Sequence, residues 1–334
     1  MSYAELCTTT NFTFLTGASH PEEFVTRAAD LGLAAIAITD RNTLAGVVRA
    51  YSARKELHRS VQDQGRQIPL PQLIIGCRLV LRDSAVDWVA LPTDRAAYAR
   101  LSRLLTLGKR RAGKGKCHLD TADLHAGCAG MILIALPESP ANTQTVMSHI
   151  RAMALVYPAH VYLGAAPRYD GQDRARFAGC ARLAHKAAAP MVAVGDALMH
   201  HGKRLPLADV LTCMREHITI DEIGPHAQLN AERRLKSPAD MSRLFADHPA
   251  ALKRSLEIAT RCTFSLAELS YEYPDEISDG ERPHDRLIRL SRAGLARRYP
   301  EGTTKRAAAL ATKELSMGKD LGFAAYFLTV HDIV

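Results

Sequence analysis

The chain has 334 residues, 47% hydrophobic and 23% charged, and its 43 Lys and Arg against 35 Asp and Glu leave a formal charge of +8. That length fits one large α/β domain with a smaller unit, or two ordinary domains, and the composition excludes a disordered chain. The positive balance is a weak bias toward polyanionic partners such as nucleic acid.

The opening MSYAELCTTTNF has neither the basic nor the long apolar segment of a secretory signal. The longest apolar stretches, such as Met131 to Leu136, are too short to span a bilayer, so a cytoplasmic protein with no membrane segment is expected. From the start, short apolar runs alternate with amphipathic stretches, the pattern of a parallel α/β architecture. Strands are expected at residues 3–6, 35–38, 73–81, 88–91, 131–136, 160–163 and 191–194. Between them, Ser19-His20-Pro21-Glu22 offers a capping serine and an early proline ahead of Phe24, Ala28 and Leu31 at helical spacing, with Gly32 as the stop. Leu44, Val47, Val48 and Tyr51 form a second apolar stripe, and Tyr98, Leu101, Leu104 and Leu105 a third that closes at Gly108.

After about Gly195 strands give way to helices, expected over 206–217, 237–245 and 249–262. The stretch 271–285, YEYPDEISDGERPHD, is rich in acid, Pro and Gly, and its Asp275, Glu276, Asp279 and Glu281 fit a solvated linker. Helices at 282–298 and 303–321 follow, the second with Leu310, Met317 and Leu321 on one side. The apolar aromatic run 325–334 with no polar tail looks like a chain cut inside a domain. Seven cysteines (Cys7, Cys77, Cys117, Cys128, Cys180, Cys213 and Cys262), never in a C-x-x-C pair, argue for reduced thiols rather than a disulfide framework or zinc ribbon. No phosphate-loop, dinucleotide or G-x-S-x-G pattern is present.

The segment YAELCTTTNFTFLTGASHPEEFVTRAADLGLAAIAITDRNTLAGVVRAY resembles the opening of the PHP (polymerase and histidinol phosphatase) domain that begins bacterial C-family DNA polymerases. The likeness continues in order through LIIGCRLVL, TDRAAYARLSRLLTLGKRR, VLTCMREHITID and the segment from LNAERRLKSP to YEYPDE, and YFLTVHDIV is similar to the beginning of the polymerase palm. The wording SHPEE, DRNTLAGVVRA and YEYPDE looks most like the error-prone, translesion branch. The resemblance implies a PHP-type distorted, seven-stranded β/α barrel with a helical extension over 1–270, a linker over 271–285 and the start of a palm over 286–334.

It also implies where a metal cluster would sit. A PHP site gathers His, Asp and Glu at the C-terminal ends of barrel strands around two or three ions, which acidify a water and stabilise an in-line phosphoester displacement. The first family signature, His-x-His, falls on Cys7 and Thr9; the second, Thr-Asp-His, on Thr39-Asp40-Arg41. The glutamate after Ile-Gly falls on Arg78, and the late Asp-x-His on Asp196-Ala197-Leu198. Only Asp40 and Asp196 keep a ligand, and a guanidinium is a donor that repels metal. The expectation is no catalytic residue and no metal here, with Arg41 or Arg78 set among Asp40 and Asp196 so that ion pairs replace metal charge. An alternative is a zinc site outside the family pattern, from Cys7, Asp196, His200 and His201, although adjacent histidines usually point apart. His118, His125, His160 and His331 have no ligand spacing.

Lys109, Arg110, Arg111, Lys114 and Lys116, with two glycines, follow a helix that ends at Gly108. Such a loop can neutralise phosphates without reading bases, or can be a solvated loop balancing a helix C-terminus. No aromatics interleave it to stack bases. The implied function is therefore the N-terminal portion of an error-prone DNA polymerase, with the barrel as scaffold and the Mg²⁺-binding palm aspartates beyond Val334. DNA, a sliding clamp and error-prone repair proteins are the partners implied. A metal-dependent phosphoesterase or proofreading nuclease, and a non-catalytic protein or DNA docking module, are the alternatives.

Overall fold

The computed structural model describes residues 2–65, 69–137, 143–270 and 280–333. The chain divides into two compact units, residues 1–268 and 269–334.

In the first unit, β1 (Ala4–Thr8), β2 (Ala35–Ile38) and β3 (Gln72–Ile75) form a parallel sheet. A second sheet runs β4 (Cys77–Leu79), β5 (Val86–Pro92), β6 (Met131–Pro137), β7 (Val161–Ala165) and β8 (Met191–Ala193), antiparallel across its first three strands and parallel thereafter. Two parallel bridges join the sheets into a ring: Thr8 meets Ala197 just after β8, and Arg41 just after β2 meets Arg78 of β4. The 73–81 run, expected as one strand, is two. It breaks at Gly76, where a Cβ would press into Leu91 and Thr39. β3 stays with β2 while β4 turns to β5, so together they fill one place in a distorted seven-place β/α barrel.

Alternation sorts the strand side chains. Ile36, Ile38, Trp88 and Leu133 face Phe24, Val25 and Ala28 of α1 (Pro21–Asp30), Val47 and Ala50 of α2 (Val47–Asp63), Leu101, Leu104 and Leu105 of α3 (Arg95–Arg110), Ile150 of α5 (Thr143–Val156) and Phe177 of α6 (Asp173–Ala187) in one buried cluster. Between α3 and β6 lies the short α4 (Thr121–Gly127), whose Leu124 joins that cluster. The alternate residues, among them Ala35, Ala37, Ile74, Val89, Leu91, Ile132, Ile134 and Val192, fill the ring. Ile258, Ala259 and Cys262 join them from α9 (Pro249–Arg261) and its C-terminal end, and the fully buried Ser255 of α9 accepts the Ala4 N–H at the start of β1. Helices α7 (Leu205–Glu216) and α8 (Pro238–Leu244) precede α9 in the helical extension.

Three local expectations shift. The first residue of α1 is Pro21 and its cap is His20, whose N–H is held by Glu23 at 2.8 Å, so Ser19 is freed for another partner. Val48 points to solvent at 59% exposure instead of joining the α2 stripe. Helix α3 runs through Lys109 to Arg110, two residues past Gly108.

The second unit holds α10 (Pro283–Arg298), α11 (Lys305–Asp320) and α12 (Ala324–Ile333). Helix α10 starts within the stretch read as linker, where Glu281 pairs with Arg289 at 2.8 Å; Asp275, Glu276 and Asp279 lie outside the described residues. Leu310, Met317 and Leu321 remain more than half exposed, while Ala324 and Leu328 are buried. No described helix is long and apolar enough to cross a membrane.

Candidate functional site

The C-terminal ends of the strands open into a cleft of about 1000 Å³ lined by Thr9, Thr13, Arg41, Arg78, Asp87, Asp196, Leu198 and Arg233, with α6 forming one wall. Between Glu5 and Thr8 the register of β1 slips against β2. The turn after β8 places Asp196 in the left-handed region at φ 46°, a conformation that short polar side chains tolerate best.

Asp196 carries most of the chemistry. Its Oδ1 accepts from Arg78 Nη1 at 3.1 Å and its Oδ2 from Arg233 Nη2 at 2.5 Å, while the Cys7 thiol lies 3.5 Å from Oδ1. Burial alone would raise its pKa; Arg233 and Arg78 outweigh burial and hold it below the ordinary aspartate value. Arg78 is shared, because its Nε also donates to Asp87 Oδ2 at 2.7 Å, from one strand to the next. Burial would lower Arg78, but the nearby Asp196, Cys7 and Asp87 push it up instead, so it stays a cation. Burial pushes the Cys7 thiol well up, which keeps it protonated.

The expected arginine between two aspartates is thus half realised. Arg78 reaches Asp196, but Arg41 is exposed and makes no side-chain hydrogen bond or ion pair among the described residues. Asp40 has no arginine at all. It is 1% exposed and accepts from the Thr10 N–H at 2.8 Å and from the Thr10 and Thr13 hydroxyls at 2.8 and 2.7 Å. Burial raises its pKa against those hydrogen bonds. Thr9 and Leu198 line the cleft with a hydroxyl and an isobutyl group where the family pattern has imidazoles.

The zinc alternative is not assembled. His200 Nδ1 lies 2.8 Å from Ser19 Oγ and 3.8 Å from Glu23 Oε2, and His201 Nδ1 accepts the Lys203 N–H at 3.1 Å. Neither imidazole has a hydrogen bond to Cys7 or Asp196, and no group of three or more His, Cys, Asp and Glu suited to a metal exists among the described residues. The ligand set that PHP chemistry needs therefore does not fit this cleft: Asp196 is engaged by two guanidiniums and Asp40 by two hydroxyls and a backbone N–H.

Sequence reasoning missed Glu5, Asp87 and Arg233. Glu5 is fully buried on β1, accepting from the Tyr3 hydroxyl at 3.0 Å, the Cys7 N–H at 3.0 Å and the Gly195 N–H at 3.0 Å. Burial outweighs those donors and lifts its pKa to about 7. An acid inside an apolar strand, as in YAELC and VDWVALP, was a visible signal for Glu5 and Asp87, since such groups are seldom buried without partners. Nothing in NAERRLK distinguishes Arg233 from its neighbours.

The basic stretch is exposed apart from the half-buried Ala112. Arg111 pairs with Asp123 at 2.6 Å, whereas Lys109, Arg110, Lys114 and Lys116 make no ion pair among the described residues.

Comparisons with known proteins bear on the same region. Over its whole length the chain is 63% identical to an error-prone DNA polymerase of Ruegeria pomeroyi, covering 32% of that protein, and 44% identical to one of Rhodopseudomonas palustris, covering 29%. It thus spans about a third of the length of these relatives. A solved amidohydrolase from Chromobacterium violaceum matches 58% of this chain and 87% of its own at 14% identity and a TM-score of 0.41, a likeness too weak for residue-by-residue comparison. The model of the PHP domain matches residues 5–173, which takes in β1 from Glu5 onward, the Asp40 turn, Arg78 and Asp87, and the chain belongs to the PHP domain family.

Proposed function

We propose that the chain is the N-terminal portion of an error-prone DNA-directed DNA polymerase, and that its PHP barrel serves the parent enzyme as a metal-free scaffold. The observation that carries this reading is Asp196, a position where the family places a metal ligand, engaged on both oxygens by Arg78 and Arg233. Charge-assisted bonds of this kind engage both carboxylate oxygens, and two cations beside the carboxylate oppose the approach of a third. Similarity along the entire chain to proteins named error-prone DNA polymerase supports the parent identity.

In this reading Mg²⁺ and the polymerising aspartates belong to a palm beyond this chain. DNA is the substrate of the parent, and a sliding clamp or error-prone repair proteins are its partners. A metal-dependent phosphoesterase or nuclease within the barrel is disfavoured by Cys7, Thr9, Arg41, Arg78 and Leu198 at five of the seven positions where the family pattern has ligands. A protein or DNA docking role for the barrel is compatible with the scaffold.

Metal analysis and primer extension test the proposal together. Purified 334-residue protein should carry no stoichiometric zinc or manganese and should not extend a primer, while the longer parent should do so with Mg²⁺. Stoichiometric metal that disappears in Asp40→Ala, or robust synthesis by the 334 residues, would overturn it.

A further inference from the structure

The α6 wall of the cleft carries charge that the scaffold role does not use. On α6, Arg176, Arg182 and Lys186 all line the cleft, and Gly179 and Leu183 do so between them. Spacings of three, four and seven residues put these positions along one side of a helix. Arg176 is committed to Asp170 and Asp173. Arg182 and Lys186 are exposed and make no ion pair or side-chain hydrogen bond among the described residues, and the same holds for Arg41, which also lines the cleft.

Among the described lining residues only Asp87 and Asp196 are acidic, and both already face Arg78. The cleft therefore holds a surplus of positive charge inside a concave wall, a geometry that concentrates anions. The lining also includes apolar side chains, among them Leu136, Pro137, Val146 and Leu183. A volume of about 1000 Å³ suits a ligand larger than a lone phosphate. Arg182 and Lys186 are four residues apart, or about 6 Å along the helix.

We propose that this cleft binds nucleotide phosphates without metal, with Arg182 and Lys186 of α6 and Arg41 neutralising the phosphates beside its apolar lining. The ligand chemistry is a phosphate-bearing nucleotide, presented either free or as part of a single strand. Binding here involves none of the family's ligand positions except the one now occupied by Arg41. It does not depend on whether the parent chain polymerises DNA.

The test is fluorescence anisotropy of a fluorescein-labelled oligo(dT) titrated with the 334-residue protein across a salt series, with unlabelled dTTP and unlabelled oligo(dT) as competitors. R182Q/K186Q should weaken binding at least tenfold and lower the salt slope by roughly 1.4, the share of two phosphate contacts on a single strand. R41Q should act in the same direction by about half as much in slope, and R182K/K186R should restore parental binding. Both α6 side chains are exposed, so thermal unfolding of the variants should match the parent and separate lost binding from lost folding. Displacement by dTTP as well as oligo(dT) assigns the site to free nucleotides; displacement by oligo(dT) alone assigns it to a strand. Parental affinity and slope in R182Q/K186Q, or a loss confined to K114Q/K116Q in the basic loop, would overturn the proposal.

Discussion

Asp196→Asn removes the charge at the centre of the cleft while keeping its shape and its left-handed backbone, which asparagine tolerates. The change leaves Arg233 without its carboxylate and Arg78 with Asp87 alone. Removing one member of a fully buried pair costs on the order of 3–5 kcal/mol. Here the Arg78, Arg233 and Asp196 side chains are 20%, 29% and 15% exposed, so solvent screens part of that cost. A loss of about 2–3 kcal/mol at pH 7 is expected, which for a unit of this size lowers Tm by roughly 4–12 °C. Urea unfolding of the parent, D196N, R78M and the double variant measures it directly. The cycle should give a coupling of at least about 1 kcal/mol, since the residues share one network.

The pH dependence has a fixed sign. Asp196 is depressed in the folded chain, so its contribution is present above the unfolded aspartate value and fades as pH falls through the lower folded value. The gap between parent and D196N should therefore close in acid. D196N within about 0.5 kcal/mol of the parent at pH 7, or an additive cycle, would refute the view that guanidiniums have taken over the electrostatic role of metal.

Glu5 should show the opposite sign. Its folded pKa of about 7 lies above the ordinary glutamate value of 4.5, so its contribution is full below the latter and is lost as pH rises through the former. The shift corresponds to roughly 3 kcal/mol. Glu5→Gln, with its amide oxygen toward the Cys7 and Gly195 N–H groups, should flatten the fall in stability over that window; an unchanged slope in urea titrations would show that Glu5 does not cause it. Gly195 packs where a Cβ would overlap the Glu5 carboxylate, so Gly195→Ala should cost about 1–3 kcal/mol. The shorter acid in G195A/E5D should recover part of this, and a neutral G195A would contradict the packing described.

Much of the architecture was legible because it rests on local periodicity. The apolar runs at 35–38, 131–136 and 191–194 and the stripe through Leu101, Leu104 and Leu105 each occupy the element and the buried face that their spacing predicts. The departures have local causes that spacing does not record: Gly76 divides a continuous apolar run because Leu91 and Thr39 leave no room for a side chain, and Ser19 is drawn from the α1 cap to the ring of His200.

The site divides along the same line. From sequence alone came the substitutions at Cys7, Thr9, Arg41, Arg78 and Leu198, since a residue type carries its coordination chemistry wherever it lies. Which cation meets which acid could not be derived that way, because Asp196 joins Arg78 and Arg233 from positions 118 and 37 residues distant, and Asp40 turns to Thr10 and Thr13 instead of an arginine. Partner choice among charges is a matter of distance and desolvation, and only ring closure through the Thr8–Ala197 and Arg41–Arg78 bridges fixes those distances.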